Sequence, residues 1–110
     1  MKVFVHARHV EVTEAMRQHV ESRVAKLPRY LGSLQSVEVI LGMDADMPMV
    51  EAVATARKKS TFVASHRHED MYACIDQCLH KLEEQVRRHK DRVRDHQKPP
   101  HGESTEQSGR

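Results

Sequence analysis

Apolar and polar positions alternate at the start of the chain. In KVFVHA, residues 2–7, the odd positions carry Val3, Val5 and Ala7, whereas the even positions carry other side chains. A period of two is typical of a strand with one buried face. The sequence therefore predicts a strand over residues 2–7.

The period changes after this strand. Thr13 is a candidate N-cap, and Glu14 in the first turn places a carboxylate at the positive end of the helix dipole. The apolar stripe that follows has helical spacing and consists of Met16, Val20, Val24, Leu27 and Leu31. Pro28 and Gly32 predict that the helix ends between them.

Three apolar, β-branched segments follow and predict three more strands. They cover residues 36–43, 49–57 and 60–66. Residues 44–48, DADMP, form the first predicted turn, and the basic pair Lys58–Lys59 forms the second. Connections this short favour consecutive antiparallel hairpins.

A long helix is predicted to begin near Glu69 and Asp70. Its apolar stripe consists of Met71, Ile75, Cys78, Leu79, Leu82, Val86 and Val93. Residues 97–110 are polar and rich in Pro, Gly and Ser, which predicts a disordered tail after a domain of residues 1–96.

The predicted order is β-α-β-β-β-α, an α+β fold. Each helix has one apolar stripe, so a four-stranded sheet with both helices packed on one face is expected, and the other face stays more open.

Composition narrows the function. The chain has 110 residues, no Trp and 4% aromatic residues, which argues against an aromatic-lined cavity for a small-molecule substrate. The apolar run in the opening segment is too short for a signal peptide, and no stretch approaches the roughly 18 apolar residues of a membrane span. A cytoplasmic protein is expected.

Charge is segregated on the long helix, although the formal net charge is only +2. At 100° per residue, Lys81, Arg88 and Arg92 lie on one flank of the apolar stripe without an acidic partner on that flank. The opposite flank carries both signs and consists of Arg87, Lys90, Arg94, Asp76, Glu83 and Asp91.

The first helix also has a basic flank, formed by His19, Arg23, Lys26 and Tyr30. Further basic residues are expected at the rim of the sheet: Arg57, Lys58, Lys59 and Arg67. Acidic residues are concentrated elsewhere, at Glu38, Asp44, Asp46 and Glu51. This separation predicts a nucleic-acid-binding surface formed by the two helix flanks together. An ordinary solvated helix face is the alternative interpretation.

Histidines and cysteines offer two other functions. His66 and His68 could serve as general acid and base in RNA cleavage, whereas His80 and His89 point to opposite sides of their helix. Cys74 and Cys78, or His66, His68 and Asp70, could bind a metal. Buried packing is favoured for the cysteines, since no second pair completes a zinc site.

Several segments resemble the family of the ribosome hibernation promoting factor and ribosome-associated inhibitor A (protein Y). They are VEVTEAM (10–16), HEDMYACID (68–76), KLEEQV (81–86) and HKDR (89–92). The resemblance covers residues 1 to about 95 with few or no gaps and predicts the short form of the family.

The resemblance implies a fold similar to double-stranded RNA-binding domains and a non-enzymatic role without a cofactor. It implies binding to 16S rRNA in the decoding region of the small ribosomal subunit, where messenger and transfer RNA are blocked under stress or in stationary phase. A ribosome modulation factor is a further partner that it allows. A free double-stranded RNA-binding module is the alternative within the binding class.

The resemblance places the family's basic positions at Arg23, Lys26, Lys81, Arg88 and Lys90. With Arg87 and Arg92 from the helix flanks, these are the predicted rRNA-binding residues. Two positions depart from the family's pattern: Glu84 replaces a common basic residue, and Ala7 replaces a common Gly. Glu84 is expected to interrupt the basic strip.

Overall fold

The computed structural model describes residues 2–27, 34–56 and 60–96, with side chains up to residue 89. The elements are β1 (Lys2–Arg8), α1 (Glu14–Ala25), β2 (Leu34–Asp44), β3 (Met47–Ala56), β4 (Thr61–Arg67) and α2 (Met71–His96). The predicted α+β order is confirmed.

The strands form one sheet in the order β1-β2-β3-β4. β1 pairs with β2 in parallel, because α1 carries the chain back between them. β2, β3 and β4 pair in antiparallel fashion, as the short connections predict. The turn after β2 is shorter than predicted and consists of Ala45 and Asp46.

One face of the sheet is buried by both helices, and the side chains of the two layers form a single core. The buried residues of the sheet are Leu34, Val37, Val39, Leu41, Val50, Ala52, Ala54, Ala56 and Ala64. Those of the helices are Val20, Val24, Cys74, Ile75, Cys78, Leu79, Leu82 and Val86. The helical stripes predicted from the sequence therefore identify the buried sides of both helices.

β1 is buried less than its alternating pattern predicts. Val3 and Val5 are half-buried, and Ala7 is exposed. β1 is an edge strand, so it has a neighbouring strand on one side only. The prediction of a buried face along this strand is thus wrong at its end.

The start of α1 is confirmed. The Thr13 hydroxyl accepts a hydrogen bond from the Met16 N–H at 3.1 Å, and the Thr13 N–H donates to the Met16 sulfur at 3.4 Å. These two bonds satisfy backbone N–H groups that a helix start leaves without partners.

The end of α1 lies earlier than predicted. The helix ends at Ala25, and the N–H groups of Lys26 and Leu27 donate to the carbonyls three residues before them, at 3.2 and 3.1 Å. Pro28 explains this, because proline has no N–H to continue the helix and disfavours the helical conformation of the preceding residue. The predicted contribution of Leu31 lies outside the described residues.

α2 begins where the sequence predicts. The Asp70 carboxylate accepts a hydrogen bond from the Tyr72 N–H at 2.9 Å, which caps the helix from just before its first residue, Met71. No helix in the described part of the chain is long and apolar enough to cross a membrane.

Candidate nucleic-acid interface

One flank of α2 closes the free edge of β4. Backbone hydrogen bonds from Ala56 to Ser60 (2.8 Å) and from His68 to Pro48 (3.2 Å) set the pairing of β3 with β4. In this register the carbonyls of Val63 and Ser65 point away from β3, towards the edge of the sheet.

Two side chains of α2 donate to these carbonyls. The Gln85 amide lies 2.6 Å from the Val63 oxygen, and the Lys81 ammonium lies 3.0 Å from the Ser65 oxygen. Residues four apart on a helix are about 6 Å apart, and residues two apart on a strand are about 6.6 Å apart, so the two spacings match. We call Lys81, Gln85 and Arg88 the β4-side flank of α2.

The two thiols of α2 lie beneath this flank. Cys74 Sγ donates to the His66 carbonyl at 3.0 Å, and Cys78 Sγ donates to the Ala64 carbonyl at 3.5 Å. Both thiols are free and buried. Burial raises the pKa of both, and that of Cys78 rises to about 12.

The opposite flank of α2 contacts α1 through one carboxylate. Asp76 Oδ1 lies 2.8 Å from His19 Nε2 and 3.1 Å from Arg23 Nε. The Tyr72 ring meets the His19 ring edge-on, with 5.1 Å between the ring centroids. Asp76 therefore joins two side chains of α1 to α2. We call Tyr72, Asp76 and Arg87 the α1-side flank of α2.

The predicted joint surface of the two helix flanks is wrong. Lys81 lies on the side of α2 that faces β4, whereas Arg23 lies against the other side. The sequence predicts the rotational position of each flank around its own axis, but not which flank meets the neighbouring helix. The basic residues therefore lie along both sides of α2 instead of along one groove.

Glu84 takes part in local ion pairs on the outer side of α2. Its carboxylate pairs with the Arg87 guanidinium, and His80 Nε2 lies 3.8 Å away. Glu84, where the family commonly has a basic residue, thus does more than add a negative charge. It also forms an ion pair with Arg87, a residue that the sequence assigned to rRNA binding.

The predicted rRNA-binding residues differ in their surroundings. Lys26 and Arg88 are exposed, and no ion pair among the described side chains includes them. Arg23, Arg87 and Lys81 each have an intramolecular partner. The remaining two, Lys90 and Arg92, have side chains outside the described part.

At the rim of the sheet, a basic residue pairs with an acidic one, although the sequence predicts that the two signs of charge are separated. Arg67 pairs with Asp44 at 3.3 Å between Nε and Oδ2. The other predicted rim residues, Arg57, Lys58 and Lys59, lie outside the described residues, as does Tyr30.

The histidines whose side chains are described, up to His89, do not form one cluster. The His66 and His68 rings stack with 6.3 Å between their centroids, whereas His89 packs edge-on against Phe62 at 5.3 Å. Burial lowers the pKa of His66, and the charges of Lys81 and His68 lower it further. In residues 2–27, 34–56 and 60–89, no three metal-ligating side chains come together.

Sequence reasoning missed the roles of two residues. Gln85 is uncharged and belongs to neither a basic flank nor an apolar stripe, so its role as a donor to β4 is not predicted. Asp76 appears only as a diluting acidic residue, although it joins the helices. The sequence contains one signal for this contact, because the acidic residue on the mixed flank of α2 is complementary in charge to the basic flank of α1.

Comparison with known proteins gives one family over most of the chain. A family model described as sigma 54 modulation protein / S30EA ribosomal protein matches residues 3–94. The chain is 34% identical over 92 residues to a ribosome hibernation promoting factor of Azotobacter vinelandii, covering 84% of this chain and 85% of that protein. It is 32% identical over 96 residues to that of Escherichia coli (strain K12), covering 87% and 100%.

Solved structures share the fold. A ribosomal subunit interface protein from Coxiella burnetii is similar, with a TM-score of 0.78, 23% identity, and coverage of 83% of this chain and 99% of that one. The N-terminal domain of Thermus thermophilus Protein Y gives a TM-score of 0.70, 25% identity, and coverage of 81% and 99%. The mixed four-stranded sheet with two helices is therefore a known architecture.

Proposed function

Because this chain belongs to the sigma 54 modulation protein / S30EA ribosomal protein family, we propose that it is a ribosome hibernation factor. It binds the small ribosomal subunit at the decoding region, contacts 16S rRNA, and blocks messenger and transfer RNA under stress or in stationary phase. The observation that carries this proposal is the match over nearly the whole domain to relatives named ribosome hibernation promoting factor. Such a protein acts in the cytoplasm.

The exposed cations of the helical layer support RNA binding. Arg88 lies on the β4-side flank of α2, and Lys26 follows the end of α1. α1 contacts α2 on the side opposite the β4-side flank, so Lys26 and Arg88 can contact phosphates of different RNA strands.

The mechanism is occupancy without chemistry. Lys and Arg side chains displace the counterions condensed on rRNA, and the bulk of the domain excludes other RNA from the site. With about six to ten phosphate contacts, the affinity falls by about 10³ to 10⁵ between roughly 50 and 200 mM salt. This dependence is measured by binding to purified small subunits at a series of salt concentrations.

Charge reversal tests which side of the protein binds the ribosome. The variant Lys81→Glu/Arg88→Glu should no longer cosediment with small subunits. The matched control, Lys2→Glu/Arg8→Glu, changes the net charge by the same amount on the sheet side and should still cosediment. The proposal would be contradicted if both variants lost cosedimentation equally, or if neither variant lost it.

Two controls make this experiment specific. Lys81 also donates to the Ser65 carbonyl, so thermal unfolding of each variant must show that the fold is retained, and Arg88→Glu alone tests a residue without that contact. Competition with a plain RNA duplex separates ribosome binding from general double-stranded RNA binding. A duplex that competes as well as the ribosome would favour the free RNA-binding module.

A further inference from the structure

The face of the sheet opposite the helices carries several apolar side chains. Phe4 and Val63 are 46% and 48% exposed, and Ile40, Met49 and Val53 on the same face are half-buried. A solvated face of an antiparallel sheet is normally polar. Exposed apolar patches of this kind mark sites of interaction with other molecules.

The centre of this face has a regular arrangement of charge. Glu38 pairs across the sheet with Val53, and Ile40 pairs with Glu51. Directly opposed residues are about 5 Å apart and diagonal ones about 7 to 8 Å. The carboxylates of Glu38 and Glu51 therefore lie on one diagonal of a square, and two apolar side chains lie on the other.

Only part of this negative charge is balanced. His6 Nε2 lies 2.8 Å from a Glu38 oxygen, with both side chains about half exposed. No ion pair among the described side chains includes Glu51. Among the described side chains, the other basic residues on this face lie away from the centre: Lys2 and Arg8 at the two ends of β1, and Arg67, which pairs with Asp44, at the end of β4.

We propose that this open face is a docking surface for a cationic polypeptide segment with apolar side chains beside its cations. Lysine or arginine residues two apart on a strand, or four apart on a helix, are separated by about 6 to 7 Å. That separation is within about 1 Å of the diagonal from Glu38 to Glu51. Apolar side chains of the same segment contact Ile40, Val53 and Val63. The inference does not depend on the RNA that the helices bind.

Other occupants fit this surface less well. RNA would bring phosphates against Glu38 and Glu51, where like charges repel. A second copy of the chain centred on the same patch would bring four carboxylates together, and like-charge juxtaposition across an interface is unfavourable. A positively charged protein segment has neither difficulty.

Photo-crosslinking from the patch tests the docking surface. Benzoylphenylalanine is placed at Val63, at the border of the patch, and the chain is irradiated in cleared cell lysate with ribosomes present. The expected adduct is a polypeptide whose linked segment carries Lys or Arg beside apolar residues. The same probe at exposed Gln77 on α2 is the control for the helical side. An RNA adduct there tests the proposed function separately.

A charge-reversal variant decides whether the adduct depends on the two carboxylates. Glu38→Lys/Glu51→Lys in the Val63 crosslinking background should reduce the adduct by about tenfold or more, because the attraction becomes repulsion. Glu11→Lys, in the connection after β1, is the control and should leave the adduct unchanged. The inference would be overturned if the Val63 probe formed no adduct, or if its adduct were with RNA, with a second copy of the chain or within a single chain. It would also be overturned if the double variant left the adduct unchanged.

Discussion

The two flanks of α2 are attached to their neighbours by different interactions. On the β4-side flank, an amide and an ammonium donate to backbone carbonyls, with two buried thiols beneath them. On the α1-side flank, the carboxylate of Asp76 joins His19 and Arg23. Three of the four donors on the β4 side are neutral, whereas the α1 side depends on charge.

The two attachments should therefore respond differently to salt. Hydrogen bonds from neutral side chains to the backbone are insensitive to salt, whereas half-exposed ion pairs are screened by it. α2 and the sheet therefore form the constant part of the molecule. Val20 and Val24 hold α1 in the same core, so we expect the side chain of Arg23, and not the helix, to respond to ionic conditions and to competing phosphates.

The largest expected effect concerns how well the packing of α2 on β4 shields the Cys78 thiol from solvent. In a Cys74→Ala variant, the Cys78 thiol should react with a disulfide reagent at pH 8 more than tenfold more slowly than in the unfolded chain. A rise in pKa from 9.0 to about 12 lowers the thiolate fraction by about 10³, and the greater nucleophilicity of a more basic thiolate recovers only part of that factor. Reaction rates with and without denaturant measure this. If the folded and the unfolded variant react at rates within tenfold of each other, the Cys78 thiol is accessible to solvent on the β4 side.

A second prediction compares the two attachments directly. Asp76→Asn should lower the free energy of unfolding by about 0.5 to 1 kcal/mol at low salt, and this loss should shrink at about 1 M salt. Urea unfolding at two salt concentrations measures it. The reason is that the three side chains involved are partly exposed, so salt screens their attraction.

Gln85→Met is the matched variant on the β4 side. It removes one neutral hydrogen bond at similar size and should cost about 1 kcal/mol at both salt concentrations. If the two variants respond to salt in the same way, the distinction between the two flanks is wrong.

The smallest expected effect concerns pH and His66. Its pKa is lowered by burial first, and then by the charges of Lys81 and His68. The unfolded chain therefore binds a proton at this position more readily, so the free energy of unfolding should fall as pH drops through and below 6.5. Unfolding of the wild type and of His66→Gln at pH 7.5 and 5.5 isolates this contribution. An equal loss in both proteins would contradict it.

The fold was predictable because its pattern is local. Alternation in the strands and the stripe from Met71 to Val86 identify each element and its buried side. The end of α1 was misplaced because Pro28 acts on the residues before it, so the helix stops at Ala25. Burial of Ala7 was misjudged because alternation does not reveal an edge strand.

The candidate site was predictable only in part. The sequence identifies Lys81 and Arg88 as one flank and Arg23 as part of another, and each flank is real. Their relation depends on how α1 packs against α2, where Asp76 contacts side chains 53 to 57 positions away along the chain. The complementary charge of the two flanks is the signal for this contact, and the apolar periodicity of each helix does not contain it.

The salt dependence of ribosome binding in single-charge variants tests the central claim that exposed cations of the helical layer bind rRNA phosphates. Arg88→Met should make the slope of log affinity against log salt shallower by about one, since one phosphate contact is lost. Lys2→Met, on the sheet side, should leave the slope unchanged. An unchanged slope for Arg88→Met, or an equal change for both variants, would contradict the claim.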